Sequence, residues 1–78
     1  MNIYIEYNGV LDISKVKSGE NLDIGDAETR IGDLLSRFDV PADQQRFIAA
    51  FVNGRETRLN YILRDGDKLR LFLPLGGG

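Results

Sequence analysis

The chain has 78 residues, of which 42% are apolar and 28% charged, and its formal net charge is −2. These values are typical of one small globular domain. The absence of both cysteine and histidine excludes disulfide scaffolds, metal sites built on thiolate or imidazole, and Ser–His or Cys–His nucleophiles. The acidic balance is unlike the basic excess of a nucleic-acid-binding domain.

No segment indicates a membrane or a secretory route. The longest apolar run, residues 47–52, is far too short to span a bilayer. The first residues, MNIYIEY, lack the basic start and long apolar stretch of a signal peptide. We therefore expect a cytoplasmic protein that is not an enzyme and that binds no metal or cofactor itself.

The chain opens with a predicted hairpin. Residues 2–7 alternate between apolar and polar side chains, which predicts a strand. Asn8-Gly9 is a typical two-residue hairpin turn, so a returning strand is predicted over residues 10–17. A turn at residues 18–21 and a short extended segment at 22–24 follow.

One helix is predicted over residues 27–38. Its apolar residues recur at helical spacing and form one stripe: Ile31, Leu34, Leu35 and Phe38. Asp26 is expected to cap the first N–H groups, with Thr29 as a competing cap that would start the helix later. Gly32 is unfavourable in mid-helix, which we interpret as a close approach of the helix to a sheet. Pro41 ends the helical region.

The last third of the chain predicts more strands. A polar connection over residues 42–46 leads to a strand at 47–53, the hairpin turn Asn53-Gly54 and a short strand at 56–59. Residues 60–64 are predicted to form a compact turn that carries Ile62 and Leu63 into the core. The tight turn Asp65-Gly66-Asp67 follows.

The final strand is predicted over residues 68–73, with Leu69, Leu71 and Leu73 inward and Arg70 and Phe72 outward. The elements together predict an α+β fold of two layers. Its mixed sheet has four to five strands, and one main helix packs on one face.

Charged side chains in this third favour structural roles. Asp65 and Asp67 could be paired carboxylates, but a turn that leads into a strand explains them better. Four arginines could bind phosphate: Arg55, Arg58, Arg64 and Arg70. Acidic residues are interleaved with them, so we interpret them as a solvated face, or second as a contact for a protein partner.

Three aromatic side chains are predicted on the sheet face away from the core. Tyr4, Phe51 and Phe72 each lie opposite the apolar side of their strand. Adjacent exposed aromatics mark interaction sites. Whether these three are adjacent depends on strand order, which alternation does not determine.

The chain ends in Pro74, Leu75 and three glycines. We predict a domain over residues 1–73 and a flexible tail over 74–78. Without side chains, Gly76, Gly77 and Gly78 could thread a narrow groove of another protein. The tail could reach roughly 17 Å when extended.

Several motifs in these stretches occur together in one known family. The chain contains FVNGR at residues 51–55, LRDGD at 63–67 and LFLPLGGG at 71–78. It resembles the ubiquitin-like sulfur carriers of the MoaD/ThiS type, with Gly76 at a variable position and Gly77-Gly78 at the terminal pair. The helix segment 29–35, with its glycine, is also similar to that of the family.

The resemblance implies a β-grasp (ubiquitin-like) fold with the last strand central. It implies that a ubiquitin-activating-type adenylyltransferase uses ATP and Mg to adenylate the Gly78 carboxylate. A sulfur donor (a cysteine desulfurase or a rhodanese-like protein) then forms a thiocarboxylate, and a synthase large subunit uses its sulfur. The partner-binding patch would comprise Tyr4, Phe51, Phe72, Pro74, Leu75 and Arg70.

The pathway is less closely specified. Leu73 replaces the first proline of the molybdopterin-synthase small-subunit pattern, whereas Pro74 and the chain length favour that branch. Molybdopterin biosynthesis is therefore the leading hypothesis. The alternatives are thiamine-thiazole synthesis or another sulfur pathway, a ubiquitin-like protein modifier, and a β-grasp interaction domain without tail chemistry.

Overall fold

The computed structural model describes residues 1–9, 11 and 13–73. Its strands and helices follow in this order: β1 (Asn2–Gly9), β2 (Glu20–Asp23), α1 (Ile31–Arg37), α2 (Ala42–Gln45), β3 (Ala49–Val52), β4 (Arg55–Thr57) and β5 (Lys68–Leu73). The strands form one mixed sheet in the order β2-β1-β5-β3-β4. Central β5 is parallel to β1 and antiparallel to β3. The predicted α+β fold is confirmed.

The core lies between one face of the sheet and α1. Along β5 the exposed and buried residues alternate, with Leu69, Leu71 and Leu73 buried. The helix adds the buried side chains Ile31, Leu34 and Leu35, and Phe38 packs partly buried against them. Each such apolar side chain contributes about 2 kcal/mol when buried. The opposite side of the sheet, which we call the outer face, carries Arg70 and Phe72.

The predicted first hairpin is wrong. β1 continues through Asn8 to Gly9, and Gly9 pairs with Leu73 of β5. A parallel pairing with a strand distant in sequence therefore overrides the local turn signal of Asn8-Gly9. The antiparallel neighbour of β1 is Glu20–Asp23, which begins inside the turn predicted at 18–21 and continues into the extended segment predicted at 22–24.

The connection between β1 and β2 forms no strand in its described part, residues 11 and 13–19. Its apolar side chains enter the core instead: Leu11, Ile13 and Val16. The Tyr7 hydroxyl shares its one hydrogen between the carbonyl of Val16, at 2.6 Å, and that of Ile13, at 3.1 Å. These bonds hold the connection against β1.

The helix α1 begins at Ile31, later than predicted, because a neighbouring loop binds its first N–H groups. The Ile31 N–H donates to the carbonyl of Tyr61 at 3.1 Å, and the Gly32 N–H donates to that of Leu59 at 2.9 Å. Helix starts leave such groups free, and here the backbone of residues 59–61 binds them instead of Asp26. Gly32 approaches this loop rather than the sheet, since an added Cβ would lie 3.5 Å from the Leu59 carbonyl oxygen.

Most of the last third follows the sequence. Asn53 (φ 53°) and Gly54 (φ 85°) have the positive values of the predicted two-residue turn. Leu63 is buried, but Ile62 is 40% exposed and so does not enter the core as predicted. The connection at 42–46 contains the single helical turn α2.

Candidate partner-binding face and carboxyl-terminal tail

Five of the residues predicted to function, Pro74, Leu75, Gly76, Gly77 and Gly78, lie outside the described residues. The strand that leads to them is described to Leu73, its last residue. It is the central strand and is hydrogen-bonded to β1 on one side and to β3 on the other. The fold therefore fixes the point from which residues 74–78 continue.

The outer face carries the three predicted aromatics on three successive rungs of the sheet, where a rung is a row of paired residues that runs across the strands. Tyr4 is opposite Lys68, Phe51 is opposite Arg70, and Phe72 is opposite Ala49. Neighbouring strands lie about 4.8 Å apart and residues advance about 3.3 Å along a strand. Phe51 and Phe72 are thus diagonal neighbours on adjacent strands.

Tyr4 lies far from Phe72, although it lines one depression with Phe51. Its rung lies four residues from that of Phe72 along β5, which is about 13 Å. Phe72 is 38% exposed, whereas Tyr4 and Phe51 are half-buried. The structure therefore places all three predicted aromatics on one face, with Phe51 between Tyr4 and Phe72 along the direction of β5.

A charged pair occupies the outer face between Tyr4 and Phe72, on the same row of the sheet as Phe51. The guanidinium Nη2 of Arg70 lies 3.5 Å from the carboxylate Oε2 of Glu6, across the parallel pair β1 and β5. Both side chains remain accessible to solvent, so the ion pair contributes about 0–1 kcal/mol to stability.

A depression of about 700 Å³ opens on the outer face where β5 begins. Its walls and floor include six polar or aromatic side chains: Tyr4, Glu6, Phe51, Asn53, Lys68 and Arg70. Sequence reasoning missed Glu6, Asn53 and Lys68 as site residues. Alternation places Glu6 and Lys68 outward, but only the pairing of β1 with β5 brings them to one depression.

Asp67 organises the turn beside this depression. It is 5% exposed and accepts hydrogen bonds from Asn53 Nδ2 at 3.0 Å, the Tyr61 hydroxyl at 3.1 Å and the Arg64 N–H at 2.8 Å. Partial burial raises the pKa of Tyr61, and the hydrogen bond to Asp67 raises it by a smaller amount. Asp67 thus serves as the structural turn residue that the sequence favoured.

Asp65 also has a structural role, since its Oδ1 accepts a hydrogen bond from the Asn2 N–H at 2.7 Å.

Within residues 1–9, 11 and 13–73, no group of three or more acidic, histidine or cysteine side chains could hold a metal ion. In the same part of the chain, no helix is long and apolar enough to cross a membrane.

The sheet order, its central parallel pair and the helix on one face define a β-grasp, ubiquitin-like protein. A model of the ThiS family matches residues 5–78, and the chain belongs to that family of MoaD/ThiS-like sulfur carriers. Proteins of this family are generally non-catalytic and act with activating enzymes of the ubiquitin type and with sulfur-transfer partners.

A solved structure supports the fold independently. The crystal structure of SAMP1 from Haloferax volcanii is similar over 100% of both chains, with a TM-score of 0.62 and 23% sequence identity. At this identity the likeness concerns the fold alone. No curated protein matches the chain significantly.

Proposed function

We propose that this protein carries sulfur as a thiocarboxylate on Gly78, for molybdopterin biosynthesis in the cytoplasm. The observation that carries the proposal is the family match, which extends from residue 5 to residue 78 and so includes Gly77-Gly78 together with the folded body. The central position of β5 supports it, because a strand bonded on both sides gives the tail a fixed base.

The chemistry consists of two displacements at the tail. A Gly78 carboxylate oxygen attacks the α-phosphorus of ATP, which the adenylating partner holds with Mg, and pyrophosphate leaves. A sulfur nucleophile then attacks the carbonyl carbon of the acyl-adenylate, and AMP leaves. If the nucleophile is a persulfide, a thiol reductant must cleave the resulting disulfide to release the thiocarboxylate.

The carrier's own contribution is presentation. A carboxylate resists attack until adenylation supplies a leaving group, and the partners supply that catalysis. Gly76, Gly77 and Gly78 have no side chains that would hinder entry into a narrow active site. Phe51, Phe72 and Arg70 on the outer face, with Pro74 and Leu75 beyond β5, would contact the partners.

The pathway that uses the sulfur is a separate part of the proposal. Pro74 supports the molybdopterin branch, in which a synthase large subunit uses the sulfur. Thiamine-thiazole synthesis is the alternative acceptor. The tail would also serve a protein modifier joined to lysines through Gly78, and the likeness to SAMP1, which shares the ubiquitin-like fold, is compatible with that function.

Intact-mass measurement tests these functions against each other. The protein is incubated with ATP, Mg, a candidate adenylating enzyme and a sulfur donor, and its mass is compared with that of an incubation without ATP. Replacement of one oxygen by sulfur supports the carrier. Isopeptide adducts on other proteins support the modifier, and an unchanged chain with no adducts would contradict both.

A further inference from the structure

The depression on the outer face carries a local charge opposite in sign to that of the whole chain. Lys68 and Arg70 lie on the same side of β5, two residues apart, and Glu6 is the acidic side chain among the lining residues. This lining has a net charge of +1 (two cations and one anion), whereas the chain has a net charge of −2. The depression therefore favours an anionic group.

Lys68 is the cation available to such a group. Arg70 is paired with Glu6 at 3.5 Å. Within the described residues, no acidic oxygen lies within 4.0 Å of the Lys68 ammonium. A group that binds at Lys68 therefore displaces no existing ion pair of the depression.

The floor beneath Lys68 is held in place before any partner arrives. The Asn53 side chain accepts a hydrogen bond from the Lys68 N–H at 2.9 Å and donates one to Asp67 at 3.0 Å. The Asn53 N–H donates to the Lys68 carbonyl at 2.9 Å. A floor fixed in this way loses little conformational freedom on binding.

Two aromatic rings make the remaining surface suitable for an apolar neighbour of the anion. Tyr4 and Phe51 are half-buried and line the depression together with the cations. Inorganic phosphate has no apolar part to contact these rings. An acidic side chain flanked by an apolar residue on a protein surface matches both features of the lining.

We propose that this depression is a docking site for an Asp or Glu side chain, flanked by an apolar residue, on the adenylating partner. The inference rests on the proposed function for its partner. Lys68 and Arg70, which line the depression, lie about 10–17 Å along β5 from Leu73. Docking there therefore holds the body of the carrier while leaving its tail free to enter the partner's active site.

The test compares two charge reversals in the full chain. Lys68→Glu changes the depression, and Lys17→Glu is the matched control, because Lys17 is exposed in the connection between β1 and β2. Affinity for the adenylating enzyme is measured by calorimetry without ATP. We expect Lys68→Glu to weaken binding about tenfold or more, and Lys17→Glu to change it less than about twofold. The Lys68→Glu effect should shrink when ionic strength rises from about 0.05 M to about 0.5 M.

Equal affinities of the two variants would overturn the docking site. So would a loss of affinity in Lys68→Glu that does not change with ionic strength. The Lys68→Met variant removes the charge with little change in size and should fall between the wild type and Lys68→Glu. Pyrophosphate exchange by the wild type is measured in parallel. If exchange occurs but Lys68→Glu binds normally, the docking site is wrong and the carrier function stands. If no exchange occurs, the proposed function itself fails.

Discussion

Asn53 donates a hydrogen bond from Nδ2 to Oδ1 of Asp67 at 3.0 Å, and this contact joins the β3–β4 turn to the turn that precedes β5. Asp67 is buried, and it also accepts from the Tyr61 hydroxyl and the Arg64 N–H. One carboxylate therefore fixes three segments around the start of the central strand.

Replacing this carboxylate should destabilise the fold. Asp67→Ala leaves three donors without their acceptor, and we expect the free energy of unfolding to fall by about 3 kcal/mol. Urea denaturation measures the loss. The control is Glu56→Ala on the exposed strand β4, which should change stability by less than about 0.5 kcal/mol. Similar losses in both variants would contradict the role of Asp67.

Tyr61 should make stability depend on alkaline pH. Burial and the bond to Asp67 raise the pKa of Tyr61 above the ordinary tyrosine value of about 10, so the folded state favours the neutral phenol. Its contribution is fully present below pH 10 and is lost as the pH rises through the folded-state pKa.

The Tyr61→Phe variant isolates this contribution. Near neutral pH its free energy of unfolding should be about 1 kcal/mol lower than that of the wild type, because it lacks the hydrogen bond to Asp67. That difference should shrink above about pH 10, where the wild-type phenol ionises beside Asp67. Urea titrations of both proteins across this range measure it, and a pH-independent difference would refute the coupling.

Phe72 should contribute to partner binding. Phe72→Arg places a charge on the apolar part of the outer face nearest the tail and should weaken binding to the adenylating enzyme about tenfold. Ile62→Arg is a close control, because Ile62 is 40% exposed against 38% for Phe72. Ile62 pairs with Arg30 beside the start of α1, away from the outer face. If Phe72→Arg binds the adenylating enzyme as tightly as the wild type does, Phe72 does not contribute to the interface.

Features that depend on neighbouring residues could be predicted from the sequence. The alternation of β5 matches its buried and exposed residues, and the positive φ values of Asn53, Gly54 and Gly66 follow from residue types that tolerate them. The outward positions of Phe72 and Arg70 follow from the same alternation.

Features that depend on distant contacts could not be predicted from local patterns. Asn8-Gly9 has the composition of a turn, yet its pairing with residues 72–73 keeps it in a strand. The start of α1 is set by the backbone of residues 59–61. The depression around Lys68 likewise exists only because β5 lies between β1 and β3.

The most direct test of the central claim is to locate the sulfur within the chain. After incubation with ATP, the adenylating enzyme and a sulfur donor, the intact protein is fragmented in a mass spectrometer. We expect the oxygen-to-sulfur replacement on Gly78, and we expect a variant lacking Gly77 and Gly78 to stay folded and to gain no sulfur. Sulfur elsewhere in the chain, or product from that variant, would contradict it.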